Sequence, residues 1–342
     1  MKEAMFYQKL EGDKVRCDLC NHRCVISQGK RGICRVRENR DGLLYSLVYG
    51  KVAASNVDPI EKKPLFHFYP GSTAYSIATV GCNFHCLHCQ NWTISQVENK
   101  EIVGKETTPG RIVRNAIDNR CQSIAYTYTE PTIFYEYAYD VAEIAHEKGL
   151  KNLFITNGYI SEEALKEISL YLHAANIDLK SMSDSFYRNI CGGKLQPVLD
   201  NIKLYHNLSI WIEVTTLIIP GYNDDSNELK NIAEFIRKID ASIPWHVTRF
   251  YPAYKLSDIP PTSLETLRKA VEIGKKAGLE YVYQGNVREG ENTYCPRCGG
   301  LLIKRDGFNT VVNKIKNGTC LYCGKHIAGR GMGKSKDGFR LG

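Results

Sequence analysis

No apolar run in this 342-residue sequence is long enough to cross a bilayer. The longest candidate, LSIWIEVTTLIIP, is short and carries Glu213. The opening MKEAMFYQKLEGDK lacks the apolar core of a secretory signal. No strand–helix junction carries a glycine-rich nucleotide fingerprint, and no stretch interleaves aromatic with basic residues as a nucleic-acid stacking platform would. These absences predict a cytoplasmic protein with no membrane partner, and they leave nucleic acid as a partner open but unfavoured. The net charge of +8 permits an acidic or phosphate-bearing ligand without demanding one. Part of that charge lies in the Gly-rich basic tail GRGMGKSKDGFRLG, read as a mobile, solvated end.

Cysteine, by contrast, is abundant. Thirteen occur, and in a reducing compartment clustered thiols point to metals rather than disulfides. Three groups stand out: Cys17, Cys20, Cys24 and Cys34; Cys82, Cys86 and Cys89; and Cys295, Cys298, Cys320 and Cys323. Cys121 and Cys191 stand alone, as buried small apolar residues usually do.

From about residue 72 a regular rhythm begins. Strand patterns (AYSIATV, SIAYTYT, KNLFITNG, AANIDLK, SIWIEVTTLIIP, PWHVTRFYP, EYVYQG) alternate with amphipathic helix patterns (RIVRNAIDN, IFYEYAYDVAEIAHEKG, SEEALKEISLYL, LQPVLDNIKLYHN, DSNELKNIAEFIRKID, TSLETLRKAVEIGKKAG). Gly149 stops one helix and Ser161 caps the next. Such alternation predicts an α/β fold with a parallel sheet covered by helices, specifically a partial (β/α)6-type TIM barrel; an open doubly wound sheet is the rival. Three domains are expected: a Cys-rich segment over 1–71, the barrel over 72–290, and a C-terminal module with the tail over 291–342.

The triad has the spacing C-x3-C-x2-C and lies just after the first strand, at the rim where barrel chemistry sits. Three thiolates can hold three irons of a [4Fe–4S] cluster and leave the fourth open; the competing reading is a zinc site completed by His85 or His88. YCPRCGG and CLYCGK form two matching knuckles, so Cys295, Cys298, Cys320 and Cys323 are predicted to bind zinc as a ribbon, separable from the barrel. Cys17, Cys20, Cys24 and Cys34, with His22 among them, fit a closed zinc site, a second iron–sulfur cluster, or a metal-free knuckle.

The triad, followed by YTYTEP, TNG, DLK and IIPGYND at successive strand ends, resembles the radical SAM superfamily and, within it, pyruvate formate-lyase activating enzyme. CDLCNHRCVISQGKRGICRVREN and DPIEKKPLFHF are similar to the related branch called AmmeMemoRadiSam system radical SAM enzymes. The resemblance implies an oxidoreductase that reductively cleaves S-adenosylmethionine (SAM) to a 5′-deoxyadenosyl radical, which abstracts hydrogen from a protein or small-molecule substrate. It implies catalysis through Cys82, Cys86 and Cys89, SAM contacts at His88, Gln90, Thr129, Glu130, Asn157, Asp178 and Lys180, and an electron donor such as ferredoxin or flavodoxin. Departures are His88 where an aromatic is usual, Tyr128 and Thr129 where glycines are usual, and Tyr254 where the activases have histidine. The alternatives are a radical SAM enzyme that modifies RNA and a non-catalytic metal-bearing binding protein.

Overall fold

In a computed structural model that describes residues 1–97 and 102–333, eight strands hydrogen-bond into one sheet. They are β1 (Ala54–Pro59), β2 (Thr73–Ala78), β3 (Ser123–Tyr126), β4 (Lys151–Thr156), β5 (Leu172–Asp178), β6 (Trp211–Ile218), β7 (Trp245–Arg249) and β8 (Val282–Gly285). β2 to β8 pair in chain order and all in parallel, while β1 runs antiparallel along β2, Ala54 facing Ala78. The rhythm read from the sequence therefore yields seven parallel strands, and β1 and β8 are the sheet's two edges.

Each crossover is a helix that covers the sheet: α1 (Pro109–Asp118), α2 (Tyr135–Glu147), α3 (Glu162–Ile168), α4 (Leu195–Asn207), α5 (Ser226–Ile239) and α6 (Leu264–Lys276). Their starts follow from capping. Thr108, Ser161, Asp225 and Ser263 each accept a backbone N–H of the first turn. Gly149 ends α2 at φ +77°. The helix predicted over SEEALKEISLYL is shorter than expected: it stops at Ile168, and Leu172 already belongs to β5.

β1 was not foreseen. ASNVDP is rich in residues that disfavour strands, and Pro59 is tolerated because β1 is an edge strand. The N-terminal segment thus supplies a strand to the main sheet as well as its own small antiparallel sheets.

The C-terminal module is built around β9 (Leu301–Asp306) and β10 (Asn309–Asn313), which pair antiparallel. Its Leu302, Ile303, Ile315 and Ile327 share one apolar cluster with Phe66, Tyr281 and Tyr283. Arg305 is buried there: its guanidinium donates to Phe66 O at 2.9 Å, Glu291 O at 2.8 Å and Thr293 Oγ1 at 2.9 Å, and lies 3.6 Å from Glu61. The sequence reading of a separable ribbon missed this packing, because a lone arginine in LLIKRD gives no sign that Phe66 and Glu61 sit some 240 residues away.

The tail also begins differently from its reading. Arg330 exchanges backbone hydrogen bonds with His67 and Tyr69, and a Cβ on Gly331, at φ +64°, would stand 2.1 Å from the Tyr69 ring. Residues 329–333 are therefore packed; the rest of the basic tail, 334–342, lies outside the described residues. Among the described residues no helix is long and apolar enough to cross a membrane.

Candidate functional site

The triad loop leaves β2 at Ala78 and is held from several sides. Gly81 N donates to Ile94 O at 2.8 Å, His85 N to Cys191 O at 2.8 Å, and Leu87 N to Ile190 O at 2.9 Å. Gly81 has φ +99°, and a Cβ there would come within 2.6 Å of Val36, so only glycine fits. Trp92 stacks on Tyr254 at 5.4 Å and 16°, which gives Tyr254 a packing role at the place where the activases carry histidine.

The sulfurs differ in surroundings. Cys82 Sγ accepts Phe84 N at 3.4 Å and faces Asn83 Oδ1 at 3.8 Å. Cys89 Sγ lies 3.1 Å from Ser95 Oγ. Burial, with Glu130 and Cys86 nearby, pushes the Cys82 thiol well up, and burial raises that of Cys89. Cys86 goes the other way, because the Cys191 thiol hydrogen-bonds its sulfur. Cys191, expected to be a bystander, is thus a neighbour of the triad.

Strand register brings the other candidates to the same rim. The ends of β3, β4 and β5 place Thr129, Glu130, Asn157, Asp178 and Lys180 around one cavity of about 460 Å³, together with His88, Gln90 and the three cysteines. Every residue singled out as a triad member or SAM contact lines it.

Glu130 is buried and committed. Oε1 accepts Thr132 N at 3.1 Å, Thr132 Oγ1 at 2.6 Å and Thr156 Oγ1 at 2.8 Å, while Oε2 accepts Asn157 N at 2.8 Å. It caps the short helix Pro131–Phe134 and ties β3 to β4. Burial raises its pKa despite these donors. Lys180 donates to Asp178 at 2.7 Å. Burial opposes the ammonium, yet Asp178 and the Cys86 sulfur outweigh it and hold Lys180 well above its usual value. His88 is driven down to about 3 by burial and by Lys180, so its ring is neutral.

The residues suit a cluster and a polar cofactor. Among the described residues, only Cys295, Cys298, Cys320 and Cys323 gather three or more ligand atoms within 4.8 Å of one another; the triad sulfurs stand wider, a spacing that would suit thiolates each holding a different iron. On the cavity wall His88 Nδ1, Thr215 Oγ1 and Gln284 Oε1 are buried without a protein partner. Unpaired buried polar atoms are rare and costly, which fits a ligand that completes them.

Two further groups border the cavity. Asp58 binds Lys63 at 2.6 Å and Lys62 at 2.9 Å and accepts the Tyr128 hydroxyl; the Lys63 ammonium also sits 4.4 Å over the Tyr128 ring. This fixes Tyr128 at φ +61°, the backbone conformation that glycine would otherwise supply. Burial lowers Lys63 to about 8 despite Asp58. The second group is Glu213, fully buried, which accepts His246 Nε2 at 2.7 Å, Phe66 N at 3.0 Å and His67 N at 2.7 Å. The sequence signal for Glu213 was a carboxylate inside an apolar strand; DPIEKKP signalled Asp58 only through resemblance.

The outer cysteines separate. In the C-terminal module Cys295 and Cys323 sulfurs are 3.6 Å apart, and those of Cys298 and Cys320 3.8 Å. Cys17, Cys20, Cys24 and Cys34 line a different pocket, with His22 and Asn83 in its wall. Cys121 is buried away from all three groups, its sulfur against Asn119 O at 3.9 Å.

Comparison with known proteins agrees with this geometry. The family profile described as Radical SAM superfamily matches residues 76–236. An uncharacterized protein of Methanocaldococcus jannaschii is 52% identical over 96% of this chain and 99% of its own. The pyruvate formate-lyase 1-activating enzyme of Escherichia coli is 22% identical over 59% of this chain and 89% of its own. The crystal structure of a radical SAM methyltransferase from Sphaerobacter thermophilus aligns at a TM-score of 0.50 and 15% identity, over 68% of this chain and 71% of that one, a likeness of fold. Residues 76–236 thus form a Radical SAM superfamily domain, and the chain is homologous to the activating enzyme.

Proposed function

We propose that this protein is a radical SAM oxidoreductase in which Cys82, Cys86 and Cys89 hold a [4Fe–4S] cluster and SAM completes its open iron. The observation that carries the reading is the convergence of the triad with the β3, β4 and β5 ends on one cavity. When bound, the cluster and SAM supply one-electron cleavage of a C–S bond and a primary carbon radical that abstracts hydrogen. The chain's own residues bind, orient and exclude water.

In this reading Asp178 and Lys180 form a zwitterion-matching pair for the amino-acid moiety of SAM. The neutral His88 ring offers a flat, uncharged face for adenine. Gln90, Thr129 and Asn157 supply hydrogen bonds. Glu130 touches the ammonium only through Oε2, since Oε1 already takes three donors; its larger task is to keep β3 and β4 in register.

The substrate would meet Lys62, Asn286, Glu291 and Phe308, which line the same cavity. Gly307 and Phe308 come from the turn between β9 and β10, so the C-terminal module forms part of that wall. We read its four thiolates as a structural zinc site, the sheet as a partial barrel, and the divisions near residues 71 and 290 as domain boundaries whose parts pack as one core. The branch is that of the AmmeMemoRadiSam enzymes, the electron donor is of the ferredoxin or flavodoxin class, and the substrate is a protein or small molecule, activase-like in chemistry.

The test is anoxic reconstitution with iron and sulfide, reduction, and addition of SAM. Methionine and 5′-deoxyadenosine in equal amounts are expected. A reconstituted chain that leaves SAM intact would overturn the reading in favour of a binding protein.

A further inference from the structure

Four cysteines of the N-terminal segment meet in one pocket, and zinc does not explain how they meet. Cys17 ends a short strand, and its N–H donates to Cys24 O at 2.9 Å. Arg23, at φ +48°, turns the chain between Cys20 and Cys24. Backbone amides of His22, Ile33 and Val36 lie against the sulfurs of Cys20, Cys24 and Cys34. All four side chains line the same pocket. The four thiols are thus gathered on one pocket by local backbone.

The spacing of the sulfurs identifies the class of centre. Around one zinc ion at about 2.3 Å from each sulfur, the thiolates must crowd together. The C-terminal quartet does so: its four sulfurs all lie within 4.8 Å of one another. No three of the N-terminal sulfurs meet that limit, although all are described residues. The triad sulfurs behave in the same way. In a four-iron cluster each thiolate binds a different iron, so the sulfurs stand apart around a larger body.

The surroundings agree. Arg37 borders the pocket and is fully buried, paired with Glu136 at 2.8 Å and 3.0 Å. The donor set is four thiols, soft ligands suited to iron–sulfur clusters. His22 also lines the pocket, its Nε2 bonded to Asn83 O at 2.7 Å, but four thiols already complete the donor set without it.

We propose that Cys17, Cys20, Cys24 and Cys34 hold a second [4Fe–4S]-class cluster. Four thiolates leave no iron open, so the site transfers electrons rather than binding substrate. Its position gives the direction. Asn83 and Thr132 stand in the pocket wall; Asn83 Oδ1 faces the Cys82 sulfur and accepts Asn157 Nδ2 at 2.7 Å; Thr132 Oγ1 donates to Glu130 at 2.6 Å. Asn83 and Thr132 thus line the first pocket and bond directly to residues that line the second. One electron from a ferredoxin- or flavodoxin-class donor enters the N-terminal cluster and passes to the triad cluster, leaving the first oxidised again. This relay role rests on the reading of the triad given above; the identity of the N-terminal centre does not.

The experiment measures iron, zinc and acid-labile sulfide in the full-length protein reconstituted anoxically, in a triad variant (Cys82→Ala, Cys86→Ala and Cys89→Ala together) and in Cys20→Ala/Cys24→Ala. Sulfide is decisive, since neither zinc nor a single iron contains it. The triad variant should retain about half the wild-type iron and sulfide and give, after dithionite reduction, the electron paramagnetic resonance signal of a reduced cluster. The N-terminal variant should lose the other half and keep the triad's cluster. A triad variant without sulfide, or with a second zinc in place of it, overturns the proposal even if the N-terminal variant fails to fold. The triad reading fails separately, when the triad variant still cleaves SAM.

Discussion

The triad and the C-terminal quartet use the same side chain to opposite ends. In the quartet, two knuckles bring four sulfurs within 4.8 Å and leave nothing open. In the triad, one loop between β2 and Trp92 spreads three sulfurs along the wall of a cavity of about 460 Å³. On the proposed reading, the first arrangement would satisfy a centre completely and serve folding, and the second would leave a vacancy for chemistry. The difference is made by backbone. The knuckles close on themselves, Cys295 N donating to Gly300 O and Cys320 N to Lys325 O. The triad loop is instead fixed from outside, by Ile94, Ile190 and Cys191.

The largest effect should come from the triad. Cys82→Ala, Cys86→Ala and Cys89→Ala should each abolish 5′-deoxyadenosine formation, whereas Cys298→Ser in the quartet should lower zinc content and leave some SAM cleavage. Product analysis of the four purified variants checks this, and wild-type SAM cleavage by any triad variant would break the contrast.

Next is removal of the quartet module. The sequence alone presents it as separable, but deletion from Glu291 onward removes the partners of Phe66, Tyr281 and Tyr283 and strands Glu61 without Arg305. Exposing these aromatics costs about 1.5–3 kcal/mol for each that becomes fully solvated. The truncated chain should therefore be largely insoluble or melt far below the full-length protein in a thermal scan.

Glu213→Gln should cost less, about 2–4 kcal/mol, because it weakens several charge-assisted bonds that tie the 66–67 backbone to β6 and β7. Urea unfolding reads it. The cysteine contrast predicts that zinc stoichiometry stays unchanged in this variant.

The smallest effect is a pH dependence. His67 is fully buried, its ring nitrogens bonded to Ala328 O and Tyr283 Oη, and burial lowers it to about 4. Unfolded, it titrates near 6.5. Between these values the unfolded chain binds a proton that the folded chain refuses. Stability is then highest above pH ~6.5 and falls by at most about 1.4 kcal/mol per unit as pH drops through the window. His67→Asn should flatten that slope in urea titrations at pH 7 and pH 5.

Much of this was legible in the sequence because it depended on local pattern. Six helices and seven strands followed from periodicity and caps such as Ser161 and Gly149. The three cysteine groups followed from spacing, and the rim candidates from a family resemblance whose motifs fall at successive strand ends. What stayed hidden depended on long-range partners. Glu130 read as a ligand contact, yet most of its bonding is to Thr132, Thr156 and Asn157. Cys191 read as a bystander, yet a π-helical turn over Tyr187–Cys191 sets it beside Cys86. β1 was masked by Asn, Asp and Pro, and Arg305 by the distance in sequence to Phe66 and Glu61.

The central claim is that the triad's vacancy is where SAM binds and is cleaved. The most direct measurement is electron-nuclear double resonance on the reduced, reconstituted protein with SAM labelled at its methionine amino nitrogen and carboxylate oxygen. The account predicts hyperfine coupling from both labels to the cluster, lost in Cys86→Ala. A reduced cluster that shows no coupling to either label, with SAM present in excess, would contradict it.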